Sequence, residues 1–244
     1  MCLNLCTSSL IVIFVLAFSS ATMADTQKPI TLDAGDMELF AEGGAAKLNH
    51  DWTWIADAGF KAGLLKWLEV AAPAALSVSF LNDTPVAVSI TLGITDLWPA
   101  GNQHFLFTPA LVVSARSRLS HEALALFSLD YTHAQYNRNK SPGFLRGSGA
   151  LMVDMGPYLT WCIGISYQRL AVDRPSPPNL SRSGFAGRHR ISLGSVRVTP
   201  FNDVPLFSIH LGRHLDMTLS ARFDIDADTD TSDTRLEGGV LIFW

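Results

Sequence analysis

No stretch of this chain of 244 residues is apolar for long enough to cross a membrane as a helix. The longest such run, Leu10–Phe18, is about half of the roughly 20 residues a spanning helix requires. Helical periodicity is missing as well: no segment of the chain sustains a 3.6-residue apolar repeat, which excludes a helical bundle. Charge is sparse, at 16% of residues, and the 18 basic and 22 acidic side chains leave a net charge of −4. A nucleic-acid partner, which needs a concentrated basic face, is thereby excluded. Cysteine is scarcer still. Of the three, Cys2 and Cys6 lie in the first 24 residues, and Cys162 alone cannot form an internal disulfide. Nothing calls for a cofactor.

What is present begins with an export segment. Leu10–Phe18 is followed by the small residues Ser19–Ala24, the pattern of a signal peptide over 1–24 with cleavage after Ala24. This segment has no Lys or Arg, so its positive start is the amino-terminus itself. Beyond it, apolar and polar residues alternate with period two through most of the chain, the signature of strands with two unlike faces. Trp52, Trp54, Ala56, Ala58 and Phe60 share one face, while Thr53, Asp57 and Lys61 share the other. Leu68, Val70, Ala72, Leu76, Val78 and Phe80 oppose Glu69, Ser77 and Ser79, which reads as one strand.

Further strands are expected over 85–93, 105–118, 122–136, 148–155 and 158–170, and over 188–199 with a bulge at Gly194–Ser195 where the apolar face switches. Phe207, Ile209, Leu211, Leu215, Met217, Leu219, Ala221, Phe223 and Ile225 are all odd-numbered. One long strand is therefore expected, with Gly212–His214 the alternative break. The last strand places Leu236, Gly238, Val240, Ile242 and Trp244 on one face.

Short turns at 119–121, 155–158 and 200–205 alternate with longer connections at 94–104, 137–147, 171–187 and 226–234, as in a barrel with short periplasmic turns and long outer loops. The expectation is an all-β, transmembrane, antiparallel up-and-down β-barrel over 51–244. It has about 10 strands, with 8 or 12 as alternatives; a strand over Leu32–Asn49 would make eleven and break the even rule, so residues 25–50 are read as a periplasmic lead-in or plug. Aromatics near strand ends, among them Phe60, Trp67, Trp98, Phe105, Tyr136, Tyr158, Phe201 and Trp244, suit the two interfacial girdles of such a barrel better than a soluble sandwich core.

The terminal pattern Leu236, Val240, Ile242, Trp244 resembles the signal that bacterial outer-membrane barrel proteins present to the barrel-assembly machinery, which implies an outer-membrane location in a Gram-negative cell. Gly63–Glu69 and Gly93–Leu97 resemble the Gly-Leu-Thr-Asp turn of a broad group of outer-membrane transporter-like barrels, some linked to hydrophobic compounds. In that group the turn is usually periplasmic, whereas a count of ten strands sends both segments to the other side.

If apolar faces meet lipid, the lumen holds Asp57, Lys61, Glu69, Arg116, Asp130, Asp154, Arg190, His210, His214, Asp216, Arg222 and Asp224. Both signs are interleaved in a barrel only slightly wider than those filled by their own side chains, so the charges are expected to pair with each other. His210, His214 and Asp216 share a face, but neighbours two residues apart on a strand are about 7 Å apart, too far for direct hydrogen bonds. Neither a catalytic centre nor a metal site is expected from them. The acidic run Asp224–Asp233 offers carboxylates for a hard cation but lacks the glycine and closing glutamate of a calcium loop, and reads as a solvated loop. The basic segments 137–146 and 182–190 suit the phosphates of lipopolysaccharide. The expected function is an outer-membrane barrel that is structural or passes small apolar solutes. The alternatives are a lipid-modifying enzyme and a surface-adhesion barrel.

Overall fold

The burial of one strand settles which way the two faces point. Along Leu215–Asp226 the apolar Met217, Leu219 and Phe223 are exposed, whereas Asp216, Thr218, Ser220, Asp224 and Asp226 are buried. A soluble sandwich requires the reverse. The same inversion recurs in Ala123–His133, with Phe127, Leu129 and Tyr131 out and Ser128 and Asp130 in, and in Leu159–Val172, with Ile163, Ile165 and Tyr167 out and Thr160 and Ser166 in.

The computed structural model describes residues 31–48, 51–72, 74–81, 85–99, 105–133, 143–172, 189–197, 203–228 and 231–244; the expected signal peptide lies outside them. In chain order the strands are β1 (Met37–Leu48), β2 (Asp51–Leu65), β3 (Leu68–Ala71), β4 (Ala74–Ser79), β5 (Val86–Pro99), β6 (Phe105–Arg118), β7 (Ala123–His133) and β8 (Gly143–Asp154). There follow β9 (Leu159–Val172), β10 (His189–Gly194), β11 (Val196–Arg197), β12 (Asp203–Val204), β13 (Phe207–His210), β14 (Leu215–Asp226) and β15 (Thr231–Phe243). Thirteen of them form one antiparallel sheet, which closes because β1 pairs with β15 from Glu38↔Phe243 to Lys47↔Thr234. Closure leaves no sheet edge along this seam, and the backbone groups of Met37 and Trp244 bond each other in both directions, at 3.1 and 3.0 Å.

β10 and β13 occupy one stave between β9 and β14, each pairing with both neighbours. The wall therefore has twelve staves, the even number that single-chain outer-membrane barrels use. The expected ten is corrected at two places. Residues 37–48, read as a lead-in or plug, are a wall strand, and 68–80, read as one strand, is the β3–β4 hairpin. The expected long strand 207–225 is also two strands, joined by the turn at 211–214.

The two hidden reversals, in 68–80 and 207–225, have one cause. Residues opposed across an antiparallel pair point to the same face. When their numbers sum to an even value, as in Ala71↔Ala75 and His210↔Asp216, the chain reverses without changing the parity of its outward residues. The expected short turn at 200–205 is not a barrel turn either: Asp203 and Val204 pair with Val196 and Arg197 in a separate two-stranded sheet between β10 and β13. The expected bulge at Gly194–Ser195 is where the β10/β13 stave breaks: Gly194 has φ 100°, and the chain leaves the wall there.

The strand ends define two rims. The rim holding Trp244 carries the short connections 66–67, 80–85, 119–122, 155–158 and 211–214. The strand ends at the other rim flank 49–50, 100–104, 134–142, 173–188 and 229–230, all of which lie outside the described residues. Twelve staves place the turn within Gly63–Glu69 at the Trp244 rim, opposite to the ten-strand count. Gly93–Leu97 is no turn but part of β5, with a register shift between Ile94 and Asp96.

Candidate functional site: the lumen

The inner wall carries three kinds of surface, each created by register. Toward the Trp244 rim, Lys61 on β2 meets Glu38 on β1 at 2.8 Å, and Glu69 on β3 accepts the Leu32 backbone N–H at 2.9 Å. The segment leading into β1 is thus held against the inner wall. On the opposite side of this rim, His210 is 1% exposed and lies between two partners: its Nδ1 is 3.0 Å from Asp216 Oδ1 and its Nε2 2.9 Å from Thr160 Oγ1. Thr160 in turn donates to Asp154 Oδ1 at 2.6 Å.

This chain of bonds ties β8, β9, β13 and β14 together, and each buried bond is worth about 1 kcal/mol net. Its hydroxyl–imidazole–carboxylate order is that of a nucleophilic triad. Thr160, however, is itself 1% exposed, and its single proton goes to Asp154 rather than to the imidazole. The geometry is that of a clamp.

Higher in the barrel, guanidinium and carboxylate groups interleave. Arg146 Nε donates to Asp130 Oδ2 at 2.8 Å. Arg190 reaches Asp233 at 2.9 Å and Asp224 at 3.8 Å, and Arg222 lies 3.3 Å from Asp224. Much of the acidic run read as a loop is strand instead: Asp224, Asp226 and Asp233 are buried in the lumen, and Asp224 and Asp233 face cations. Among the described residues, no group of three or more His, Cys, Asp and Glu could hold a metal ion.

The third surface is apolar. Leu124, Leu126, Ala150, Met152 and Cys162 face inward from β7, β8 and β9, and Val196 and Val204 of the excursion between β10 and β13 pack on them. Two ties fix the excursion. Ser195 donates its backbone N–H to Ala221 O at 2.8 Å and accepts the Ala221 N–H on its hydroxyl at 3.0 Å, while Leu206 O accepts the Cys162 N–H at 2.8 Å. Gly164 leaves room for Val196, whose side chain fills the place a Cβ would take. A second apolar group, Phe40, Ala71, Ala75 and Leu241, lies across the lumen.

Of the residues expected in the lumen, Lys61, Glu69, Arg116, Asp130, Asp154, Arg190, His210, Asp216, Arg222 and Asp224 are buried or half-buried on inward positions. Asp57 sits on β2 opposite Glu42, and its side chain lies outside the described residues. His214 is the correction. It stands exposed in the 211–214 turn, with Nδ1 2.9 Å from Phe243 O, because the chain reverses there instead of running straight. Leu236, Val240, Ile242 and Trp244 face outward and exposed.

Sequence reasoning missed Glu38, Arg146, Thr160 and Asp233 as partners, since cross-strand pairing depends on register. The possible strand over Leu32–Asn49 was the available signal for Glu38, and it was set aside on strand parity.

No protein-family model matches the chain, and no curated protein is similar to it in sequence. Among solved structures, a NanC porin superposes with a TM-score of 0.52 at 9% identity, over 84% of this chain and 98% of the porin. Two further neighbours are the CymD monoaromatic hydrocarbon channel (TM-score 0.45, 9% identity, 89% of each chain) and an anion-selective porin from Comamonas acidovorans (0.42, 8%, 77% of this chain and 59% of that one). At such identities the likeness concerns the fold alone, and it agrees with the inverted faces and the closed sheet: the chain has the antiparallel β-barrel fold of bacterial outer-membrane proteins.

Proposed function

We propose that this protein is a narrow outer-membrane barrel that passes small apolar solutes, with the Trp244 rim in the periplasm and the long connections outside. The observation that carries this reading is the division of the inner wall. The described lumen charges are largely matched in cross-strand pairs such as Arg146–Asp130 and Arg190–Asp233, which leaves little unbalanced field to select an ion. Apolar side chains, in contrast, face inward at Leu124, Leu126, Ala150 and Met152, under Val196 and Val204, and again across the lumen at Phe40, Ala71, Ala75 and Leu241. Barrels of this size lie below the 16 or so strands that leave a wide aqueous channel. Outer-membrane lipid is the partner of the outward belt, the assembly machinery that of the last strand, and lipopolysaccharide that of the basic outer segments.

Two measurements test the proposal. Fractionation should recover the protein in the outer membrane with heat-modifiable migration on a detergent gel; recovery as a soluble periplasmic protein overturns the location. In a porin-deficient host whose lipopolysaccharide leaflet excludes phenylnaphthylamine, expression should raise uptake of this uncharged probe while reconstituted bilayers show only small salt conductance. Uptake no higher than in cells lacking the protein overturns the transport reading.

A further inference from the structure

At the rim opposite Trp244 the cations are not spread evenly. The sequence between β7 and β8 carries Arg138 and Lys140, and that between β9 and β10 carries Arg174, Arg182 and Arg188 against the one acid Asp173. The other sequences that join strands at this rim, 49–50, 100–104 and 227–230, hold no Lys or Arg and include Asp228 and Asp230. Positive charge is therefore concentrated over β7 to β10. On the outward face of these same strands, register sets Tyr131, Leu145, Arg169 and His189 side by side, one from each strand. Tyr131, Arg169 and His189 are exposed.

Two tyrosine–histidine pairs frame this row. Tyr167 Oη lies 2.6 Å from His189 Nδ1 and Tyr131 Oη 3.4 Å from His133 Nδ1, with the rings stacked in both pairs. A phenol that donates to Nδ1 leaves the imidazole proton on Nε2, turned away from the phenol and ready to be given to an anionic oxygen. Arg169, between the pairs, adds a planar fork of N–H donors that matches a phosphate. Below the row the apolar belt is recessed. Gly147 on β8 pairs with Leu129 on one side and Tyr167 on the other, and nothing lies within 4 Å of a Cβ added there. Gly149 follows on the same face between Phe127 and Ile165. These four flanking side chains are exposed walls on either side of a strand that has none. The walls stand two strand spacings apart, about 10 Å between main chains, which leaves the width of one hydrocarbon chain between them.

From the recess and the cations at its upper end we infer that this face seats a lipid A molecule, with a phosphate on Arg169 and His189 and an acyl chain laid over Gly147. The inference rests on the outer-membrane location and orientation proposed above and names where lipopolysaccharide is held. In that orientation this rim meets the lipopolysaccharide leaflet, whose lipid A joins phosphates to acyl chains. A zwitterionic phospholipid has no net charge to answer the cations. Beside hydrocarbon, a guanidinium–phosphate pair is screened less than in open water and gains strength accordingly.

The test uses the whole protein in detergent, with folding checked by heat-modifiable migration and bound lipid A counted by native mass spectrometry. Wild type should retain lipid A; a wild type that retains none overturns the site. Arg169→Gln should weaken retention roughly tenfold, and Gly147→Leu, which fills the recess without meeting any neighbour, by a similar factor. Lys66→Gln, which removes an exposed cation at the opposite rim, should change nothing. Retention by both Arg169→Gln and Gly147→Leu equal to wild type overturns the site. Lipid A stripped of its phosphates should bind wild type as weakly as intact lipid A binds Arg169→Gln; equal binding of the two lipids overturns the role given to the phosphate. Phosphatidylglycerol that displaces lipid A at equal concentration overturns the assignment to lipid A. Location is decided separately by fractionation, so a protein found in the outer membrane whose variants bind like wild type loses the site and keeps its location.

Discussion

The arc from β6 to β9 and the staves that flank it are built on different terms. In the arc, β7 and β8 pair residue for residue from Ala123↔Val153 to His133↔Gly143, with no register shift. Below the rim the outward residues there are apolar, while the inward face changes along its height from Ser128, Asp130, Arg146 and Ser148 to the apolar Leu124, Leu126, Ala150 and Met152. The two irregular regions are the short β3–β4 hairpin, whose Ala71 and Ala75 pack on Phe40, and the broken β10/β13 stave, whose excursion lays Val196 and Val204 on the apolar inward residues of the arc. Regular wall is what lipid demands of the chain. Departures from it are where the chain adds a second layer, Val196 and Val204, over inward residues of the wall.

The largest test of this contrast uses two glycines. Gly194 has φ 100° and a Cβ there would overlap Ala221 O, so Gly194→Val combines backbone strain with a clash; about 4 kcal/mol of stability should be lost. Gly147, in the regular arc, has nothing within 4 Å of an added Cβ, and Gly147→Val should stay within about 0.5 kcal/mol of wild type. Urea unfolding in vesicles compares them, and equal losses would dissolve the distinction.

Next in size is Asp130→Ala, which leaves Arg146 without its 2.8 Å partner inside the lumen. A loss of about 3 kcal/mol is expected, and the Asp130→Ala/Arg146→Ala double variant should recover much of it. Additive losses would mean that the pair does not act as a unit.

The smallest effect, and the sharpest for orientation, is Leu129→Arg. This residue is 54% exposed on β7. On a soluble surface the change would be nearly silent, whereas a lipid-facing site near the midplane should lose about 2 kcal/mol. No measurable loss in vesicles would return the exposed face to water.

How much of this was legible in the sequence follows the same division. Strands of the arc were visible because each alternates over ten or more residues, and the lumen position of Asp130 or Arg116 follows from parity alone. The β3–β4 hairpin was invisible for the reason parity is informative elsewhere: Ala71↔Ala75 reverses the chain without moving Leu68, Val70, Leu76 or Val78 off one face. β1 was set aside because a strand there made the count eleven, and the count was odd only because the β3–β4 reversal was hidden. His210 and Asp216 were recognised as sharing a face, yet the bond between them depends on a turn that the odd-numbered series conceals. Thr160 enters from a strand 50 residues away in sequence, and no spacing rule reaches so far.

The seam between β1 and β15 also has a consequence in time. It joins Glu38 to Phe243 and Met37 to Trp244, contacts between opposite ends of the folded chain, while most other neighbours in the wall are hairpin partners close in sequence. Local hairpins form on the microsecond scale, but contacts of such long sequence separation carry the greatest closure entropy. Assembly should therefore pass through an open, curled sheet whose two free margins, the glycine-rich β1 and the strand ending in Trp244, meet last. The seam is then the step at which a half-made sheet commits to being a cylinder.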